Sequence, residues 1–347
     1  MRKTIIAIAT LLSVTNVFAD EFTITDFELS ANETKTVNIA LTNSQDVFGY
    51  QFSLFLPEGV SIVQGKWGHD ILSSFNGNIE AVYHSEDNHY EIGFAGSRPI
   101  ETGGSNQTVC TVQIVASDEV STGLVSCAIR NQKITITEDG GETYKTIDVG
   151  ESTGTTFGVT LQIDAKIGKG GYGSFSWPRD VDFSNTGVEV YVGTSYNNGW
   201  LHLGSVDDKK VPAGTGVMLK GKANETVHPQ TTSAVVPALT LTNLLTGTAT
   251  EAVPSDGTLY ALATKTAGTG LYKVAQDVVI PKYKAYLSLG GSEGGAREAV
   301  FFGSETDGIQ AVDVDASSAV AYDLQGRRVD SLAKGIYVKD GRKIIVK

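Results

Sequence analysis

Apolar and polar residues alternate with period two through much of the N-terminal part of this chain. Phe22-Thr23-Ile24, Thr36-Val37-Asn38-Ile39-Ala40-Leu41 and Tyr50-Gln51-Phe52-Ser53-Leu54-Phe55-Leu56 each set every second side chain on one face, as a half-buried strand requires. Pro57-Glu58-Gly59 ends the last of these as a turn. Ile79 to His84 and His89 to Phe94 pair as a hairpin around Ser85-Glu86-Asp87-Asn88, and Val109 to Val115, Leu124 to Ile129 and Lys133 to Thr137 complete about nine strands. Short strands with turn punctuation predict a two-sheet β-sandwich over residues 20–152.

A Gly- and Thr-rich stretch from Gly150 to Gly158 separates this region from a second β-domain, residues 153–304. The second domain carries a degenerate repeat at an offset of 69: Tyr191, Asp208, Pro212 and Gly221 recur as Tyr260, Asp277, Pro281 and Gly290. Each copy reads as strand, Gly-bearing turn, strand, then Val/Ile-Pro before a further strand, where proline suits a strand entry. Residues 305–318 are acidic and rich in small side chains, hence a linker. Residues 319–347 hold three short strands with glycine turns. The fold class is therefore all-β: tandem sandwiches of jelly-roll or Ig-like type with a short C-terminal meander.

The N-terminus bears on compartment. Arg2 and Lys3 precede an apolar run from Ile5 to about Val14, and Val17-Phe18-Ala19 offers a small-residue cleavage site. Residues 1–19 read as a cleaved signal peptide, and the chain as secreted or held at the outer cell surface. No later stretch approaches the roughly 20 apolar residues of a membrane span. The 39 acidic and 27 basic residues give a net charge of -12, which argues against nucleic acid and anionic lipid as partners.

Two cysteines are present, Cys110 and Cys127. Alternation puts Cys110, Val112 and Ile114 on one strand face, and Val125, Cys127 and Ile129 on the next. A hairpin centred between Asp118 and Glu119 sets Cys110 opposite Cys127, a register that favours a disulfide in an oxidising envelope, worth about 3 kcal/mol on the chain-entropy model. The alternative is two buried thiols facing one core.

Three segments carry resemblances. Glu33-Thr34-Lys35-Thr36-Val37, then Gly49 to Val60 with its apolar strand and Leu-Pro-Glu-Gly-Val ending, resembles the opening of cohesin-like domains; Gly123-Leu124-Val125-Ser126 and Asn131 fit the closing half. That resemblance implies a jelly-roll sandwich that binds protein or glycan and lacks enzymatic activity. Val211 to Gly221, Asn243 to Thr248 and Ile280 to Leu287 resemble the central β-domain of many Bacteroidetes surface proteins, which implies architecture but no uniform activity. Asp323-Leu324-Gln325-Gly326-Arg327-Arg328-Val329, Lys334-Gly335-Ile336-Tyr337 and the basic, apolar ending resemble the last strands of a type IX secretion sorting domain.

Candidate chemistry is sparse. His84, Glu86, Asp87, His89 and Glu91 form the densest cluster of ligand-type side chains. Hairpin symmetry makes His84 and His89 cross-strand neighbours, a candidate metal pair set against the ordinary reading of a solvated hairpin tip. No Ser or Cys sits in a GxSxG elbow. Gly168-Lys169-Gly170-Gly171-Tyr172-Gly173 lacks the phosphate-loop pattern and its helix, so it reads as a turn. Tyr196, Asn197, Asn198 and Trp200 surround an Asn-Gly turn, where an aromatic platform and amides suit a sugar; Trp67 and Trp177 are further aromatic candidates. No catalytic residue and no cofactor is expected. The reading is a non-catalytic binding or adhesion protein for a glycan or an envelope protein. The alternatives are a structural spacer of the cell surface and an uncatalogued glycoside hydrolase, which would need two carboxylates poised across a cleft.

Overall fold

The computed structural model describes residues 20–66, 68–100, 104–138, 143–150, 154–289 and 298–303, and four short strands beyond residue 320. All regular elements among the described residues are strands. They fall into two compact units divided between Ile163 and Asp164. The signal-peptide and linker segments, Trp67 and Gly290 lie outside the described residues.

The first unit is a sandwich of two sheets. One has the order β1 (Glu21–Thr23), β3 (Thr34–Thr42), β11 (Gln107–Ala116), β5 (Val60–Ile62), with β8 (Ile71–Ser73) also on β11. The other runs β2 (Phe27–Ser30), β14 (Thr155–Gln162), β12 (Gly123–Thr137), β4 (Val47–Phe55), β10 (His89–Ile100), β9 (Gly77–His84), with β13 (Tyr144–Asp148) on β12. A two-rung ladder joins β6 (Gln64–Gly65) to β7 (Gly68–His69). The inward residues of both sheets, among them Leu41, Phe52, Leu54, Ile92, Ile114 and Ile129, meet in one core.

Two expectations are corrected here. The first unit extends past Ser152, because β14 is a full member of its larger sheet, antiparallel to β12 and parallel to β2. Gly150 and Gly154 lie between β13 and β14, which both pair with β12, so the glycine-rich stretch falls within the sandwich and does not end it. The Cys110–Cys127 hairpin is also absent. Strand β11 pairs with β3, β5 and β8, strand β12 pairs with β4, β13 and β14, and the two belong to opposite sheets. The segment between them crosses the core edge with Val120 only 1% exposed, so it is a crossover instead of a tight turn. Both cysteines are buried free thiols facing one core.

A bulge in β12 shapes the outer face of the larger sheet. Between Arg130 and Lys133 its pairing with β4 slips, and Asn131 takes a positive φ of 52°. Gln132 is thereby turned into the core at 3% exposure. Its Oε1 accepts from the Phe22 backbone N at 2.8 Å, while its Nε2 donates to Ile129 O at 3.1 Å and Thr155 Oγ1 at 3.0 Å.

The second unit is built on a nine-stranded sheet: β16 (Tyr172–Phe175), β21 (Val217–Lys220), β18 (Glu189–Asn197), β19 (Trp200–Ser205), β30 (Ala299–Gly303), β27 (Gly268–Lys273), β26 (Leu259–Lys265), β29 (Ala285–Ser288), β24 (Leu245–Gly247). Small ladders flank it: β15 (Ala165–Lys166) with β22 (Thr226–Val227), β17 (Val181–Asp182) between β20 (Lys210–Val211) and β23 (Gln230–Thr231), and β25 (Val253–Pro254) with β28 (Val279–Ile280).

The order of the large sheet is the same from either end about β30. The pairing β16–β21–β18–β19 with β17–β20 is repeated by β24–β29–β26–β27 with β25–β28. The registers Tyr191↔Met218 and Tyr260↔Leu287 lie 69 residues apart on both strands. Strand β30 runs parallel to β19 and antiparallel to β27, as a pseudo-two-fold axis normal to the sheet demands. A bridge between Thr215 and Thr246 and the Ser176 N to Tyr283 O hydrogen bond join its two edges. The sheet is therefore rolled, and Leu201, Met218, Tyr260, Leu271, Leu287 and Val300 from both copies fill one interior. Beyond it, β31 (Ala321–Tyr322), β32 (Arg328–Val329), β33 (Gly335–Lys339) and β34 (Arg342–Val346) form an antiparallel sheet in the order β32-β31-β33-β34.

Candidate functional site

The outer face of the larger sheet in the first unit brings the most chemistry together. The registers Phe55↔His89 and His89↔His84 set three rings in a row across β4, β10 and β9. The Phe55 and His89 centroids are 4.8 Å apart at 24°, and those of His89 and His84 are 4.5 Å apart at 4°. The Arg130 guanidinium, placed by the β12 bulge, lies 4.9 Å from the Phe55 centroid. This is a four-residue stack running across four adjacent strands.

Carboxylates border it. Glu86 Oε1 and Glu91 Oε2 each lie 3.5 Å from a ring nitrogen of His84, and His89 Nδ1 bonds Asp87 Oδ1. The tip is pinned by Asn88, whose Nδ2 donates to Leu56 O and Pro57 O, both at 3.0 Å. The turn is thus an ordered part of the face. The two imidazole planes are parallel and stacked, so their in-plane lone pairs run side by side and do not converge on one ion. Among the described residues no group of three or more His, Cys, Asp or Glu forms a metal cluster.

Next to the stack the face dips into a shallow groove of about 500 Å³, lined among others by Gln51, Glu80, Glu91, Gly93, Lys133 and Thr135. Gly93 has open space where a Cβ would stand, which is what deepens the floor. Glu91 divides groove from stack: it accepts a hydrogen bond from Gln51 Nε2 and faces His84 on its other side. Phe55, Arg130 and Gln51 were not among the residues the sequence marked, since only the strand register shows that they share a face with the histidines.

The aromatic turn of the second unit is a separate place. Asn198 and Gly199 both have positive φ, 50° and 91°, the type I′ geometry that an Asn-Gly pair favours. Asn197 then pairs with Trp200, and Tyr196 with Leu201. Tyr196 and Trp200 consequently point to opposite faces of the hairpin. Tyr196 packs on the rolled sheet's interior. Trp200 is half-buried on the other face, 6.1 Å from Phe301 and covering Gly303. The single platform expected of Tyr196 with Trp200 is not formed, because a two-residue turn and period-two alternation separate them. Trp177 is core, 4% exposed and packed between Phe175 and Tyr283.

Together these define a two-sheet sandwich that presents a broad polar and aromatic sheet face, followed by a rolled, internally duplicated β unit. Solved structures similar to the chain include cohesin domains. A type I cohesin–dockerin complex from Clostridium thermocellum matches at 7% identity and a TM-score of 0.32, over 42% of this chain and 94% of that one. The seventh ScaB type I cohesin of Pseudobacteroides cellulosolvens matches at 12% and 0.32, over 41% and 91%. A non-cellulosomal cohesin from the archaeon Archaeoglobus fulgidus matches at 15% and 0.25, over 41% and 91%. No family model and no curated protein matches.

Proposed function

We propose that the chain is a non-catalytic, exported binding protein whose first unit engages an envelope or extracellular protein across the outer face of its larger sheet. The observation that carries this reading is the Arg130–Phe55–His89–His84 stack beside a shallow groove. A flat, pre-ordered row of aromatic and cationic groups with a charged border supplies area, little entropy loss and register, as protein interfaces do. The groove beside it is shallow and open to solvent, a shape suited to a partner's surface. Export rests on residues 1–19, and the resemblance of the C-terminal segment to the last strands of a sorting domain supports the same reading.

A glycan is the second reading. It is supported by Trp200 and Phe301, neighbouring half-buried rings in the second unit. One experiment separates the two. Residues 20–347 are immobilised and offered an envelope-protein extract of the producing cell, and in parallel a glycan array. The protein reading expects a captured protein that is lost with Phe55→Asp or Arg130→Glu and kept with Trp200→Ala. Capture indifferent to both face variants, with array binding abolished by Trp200→Ala, would replace it by the glycan reading.

A further inference from the structure

The two seams of the rolled sheet are related by its pseudo-symmetry, and they differ. At one seam the chain just before β24 closes onto the first copy. Asn243 Oδ1 accepts from Gly193 N at 3.3 Å, its Nδ2 donates to Gly216 O at 2.8 Å, and Leu244 N donates to Gly193 O at 2.7 Å. The registers Ser174↔Met218 and Leu245↔Leu287 make Ser174 and Leu245 equivalent. By the same counting Tyr172 stands for Asn243, Leu262 for Gly193 and Ala285 for Gly216. At this second seam those three residues line a cavity of about 540 Å³.

The lining of that cavity is chemically one-sided. Its charged side chains are Lys166, Lys169 and Lys284, and no acidic residue among the described residues lines it, in a chain with 39 acidic residues against 27 basic ones. Lys166 and Lys169 are exposed at the mouth, while Lys284 is half-buried. Burial first, and the charge of Lys166 second, hold the Lys284 ammonium below its ordinary range. Holding like charges together where water is partly excluded costs free energy, and an anion would remove that cost. Leu262, Val279 and Pro281 add an apolar wall, the mixture of surface and point charge that small-molecule sites show. The position equivalent to Lys284 in the sealed seam is Thr215, which instead bridges to Thr246. The first seam is closed along Asn243 and Leu244, whereas the second is tied at its end by Ser176 N to Tyr283 O and leaves the charged cavity beside that tie.

We infer that the cavity bounded by Tyr172, Leu262 and Lys284 binds a small organic anion, a carboxylate or phosphate ester carried on a sugar-sized body. Lys284 meets the anionic group inside and Lys166 and Lys169 draw it to the mouth. Lysine is a point charge without the planar fork of arginine, so the site selects charge before shape. It lies wholly in the second unit and is independent of the sheet face of the first.

The test is calorimetric titration of residues 20–347 with D-glucuronate, D-glucose 6-phosphate and D-glucose. At least one anion binds and the neutral sugar does not. A preference for glucuronate identifies a carboxylate ligand, and the reverse preference a phosphoryl one. Lys284→Met weakens the anion about 10-fold, and the surface pair Lys166→Gln with Lys169→Gln together about as much, since the two exposed lysines are each better solvated than Lys284 and each contributes less. The double variant alters exposed side chains only, so its loss of affinity is not a loss of fold. No binding of either anion, equal binding of glucose, or unchanged affinity in the Lys166 and Lys169 double variant would overturn the inference.

Discussion

His84 and His89 lie face to face across the β9–β10 hairpin, with ring planes 4° apart and centroids 4.5 Å apart. The contact continues through Phe55 to Arg130, so a turn that reads as a loose polar tip is one end of a transverse stack. A row of this kind couples neighbouring strands through ring faces in addition to the backbone ladder.

The Arg130–Phe55 contact is the part of the row open to direct measurement. A double-mutant cycle with Arg130→Ala and Phe55→Ala should give a coupling of about 0.5–1 kcal/mol in urea unfolding, the range of an exposed cation–π pair. Additive effects would show that the guanidinium does not rest on the ring in solution.

Gln132 is the more consequential residue for the sandwich. Its amide satisfies the Phe22 N–H and donates to Ile129 O and Thr155 Oγ1, so Gln132→Ala removes the partner of the buried Phe22 N–H and the donor to both oxygens. The expected loss is about 2–4 kcal/mol, read as a lower denaturation midpoint of the first unit. Gln132→Leu, which keeps the volume but not the bonds, should be no better. A leucine variant as stable as the parent would mean that filling the bulge, and not pairing its neighbours, is what matters.

The thiols make stability depend on alkaline pH. Burial raises Cys110 to about 12 and Cys127 to about 11, and burial also pushes Tyr50 upward. Below the ordinary thiol range, near pH 8.5, folded and unfolded chains both carry neutral thiols and these groups add no slope. Above it the unfolded chain releases protons that the folded chain retains, so stability falls as pH rises toward 12, by a few kcal/mol in order of magnitude. Cys110→Val combined with Cys127→Ala should flatten part of that decline in melting experiments from pH 8 to 11. Because both thiols are free and buried, added reductant should leave the melting temperature unchanged at neutral pH; a drop with reductant would restore the disulfide.

What the sequence showed and what it hid divide along one physical line. Period-two alternation reports which side of a strand faces the core, and Phe52, Leu54 and Ile92 are buried as that pattern requires. It does not report which strand lies alongside. The same pattern around Cys110 and Cys127 fits a hairpin or two strands in opposing sheets, and the buried Val120 between them was the one residue that spoke against a solvated turn. Turn chemistry carries register as well: a two-residue Asn198-Gly199 turn forces Asn197 opposite Trp200, and hence Tyr196 away from it. The stack was half visible, since His84 and His89 share a hairpin, whereas Phe55 and Arg130 needed the β4–β10 pairing and the bulge at Asn131.

The duplicated unit supplies a last test, of whether its two copies fold as one body. Met218 and Leu287 occupy equivalent places, each opposite the equivalent tyrosine, Tyr191 or Tyr260, and both are within 1% of complete burial in the same interior. Truncating either to alanine removes apolar burial and leaves a cavity, at a cost of about 2–5 kcal/mol. If the interior is shared, Met218→Ala and Leu287→Ala should each lower one common thermal transition of the second unit, with hydrogen exchange rising in the strands of both copies. Protection lost only around the mutated copy would show that each half keeps its own core and that β30 merely joins them. The shared interior predicts the first outcome, because Leu201 of one copy, Leu271 of the other and Val300 of the strand between them belong to a single cluster.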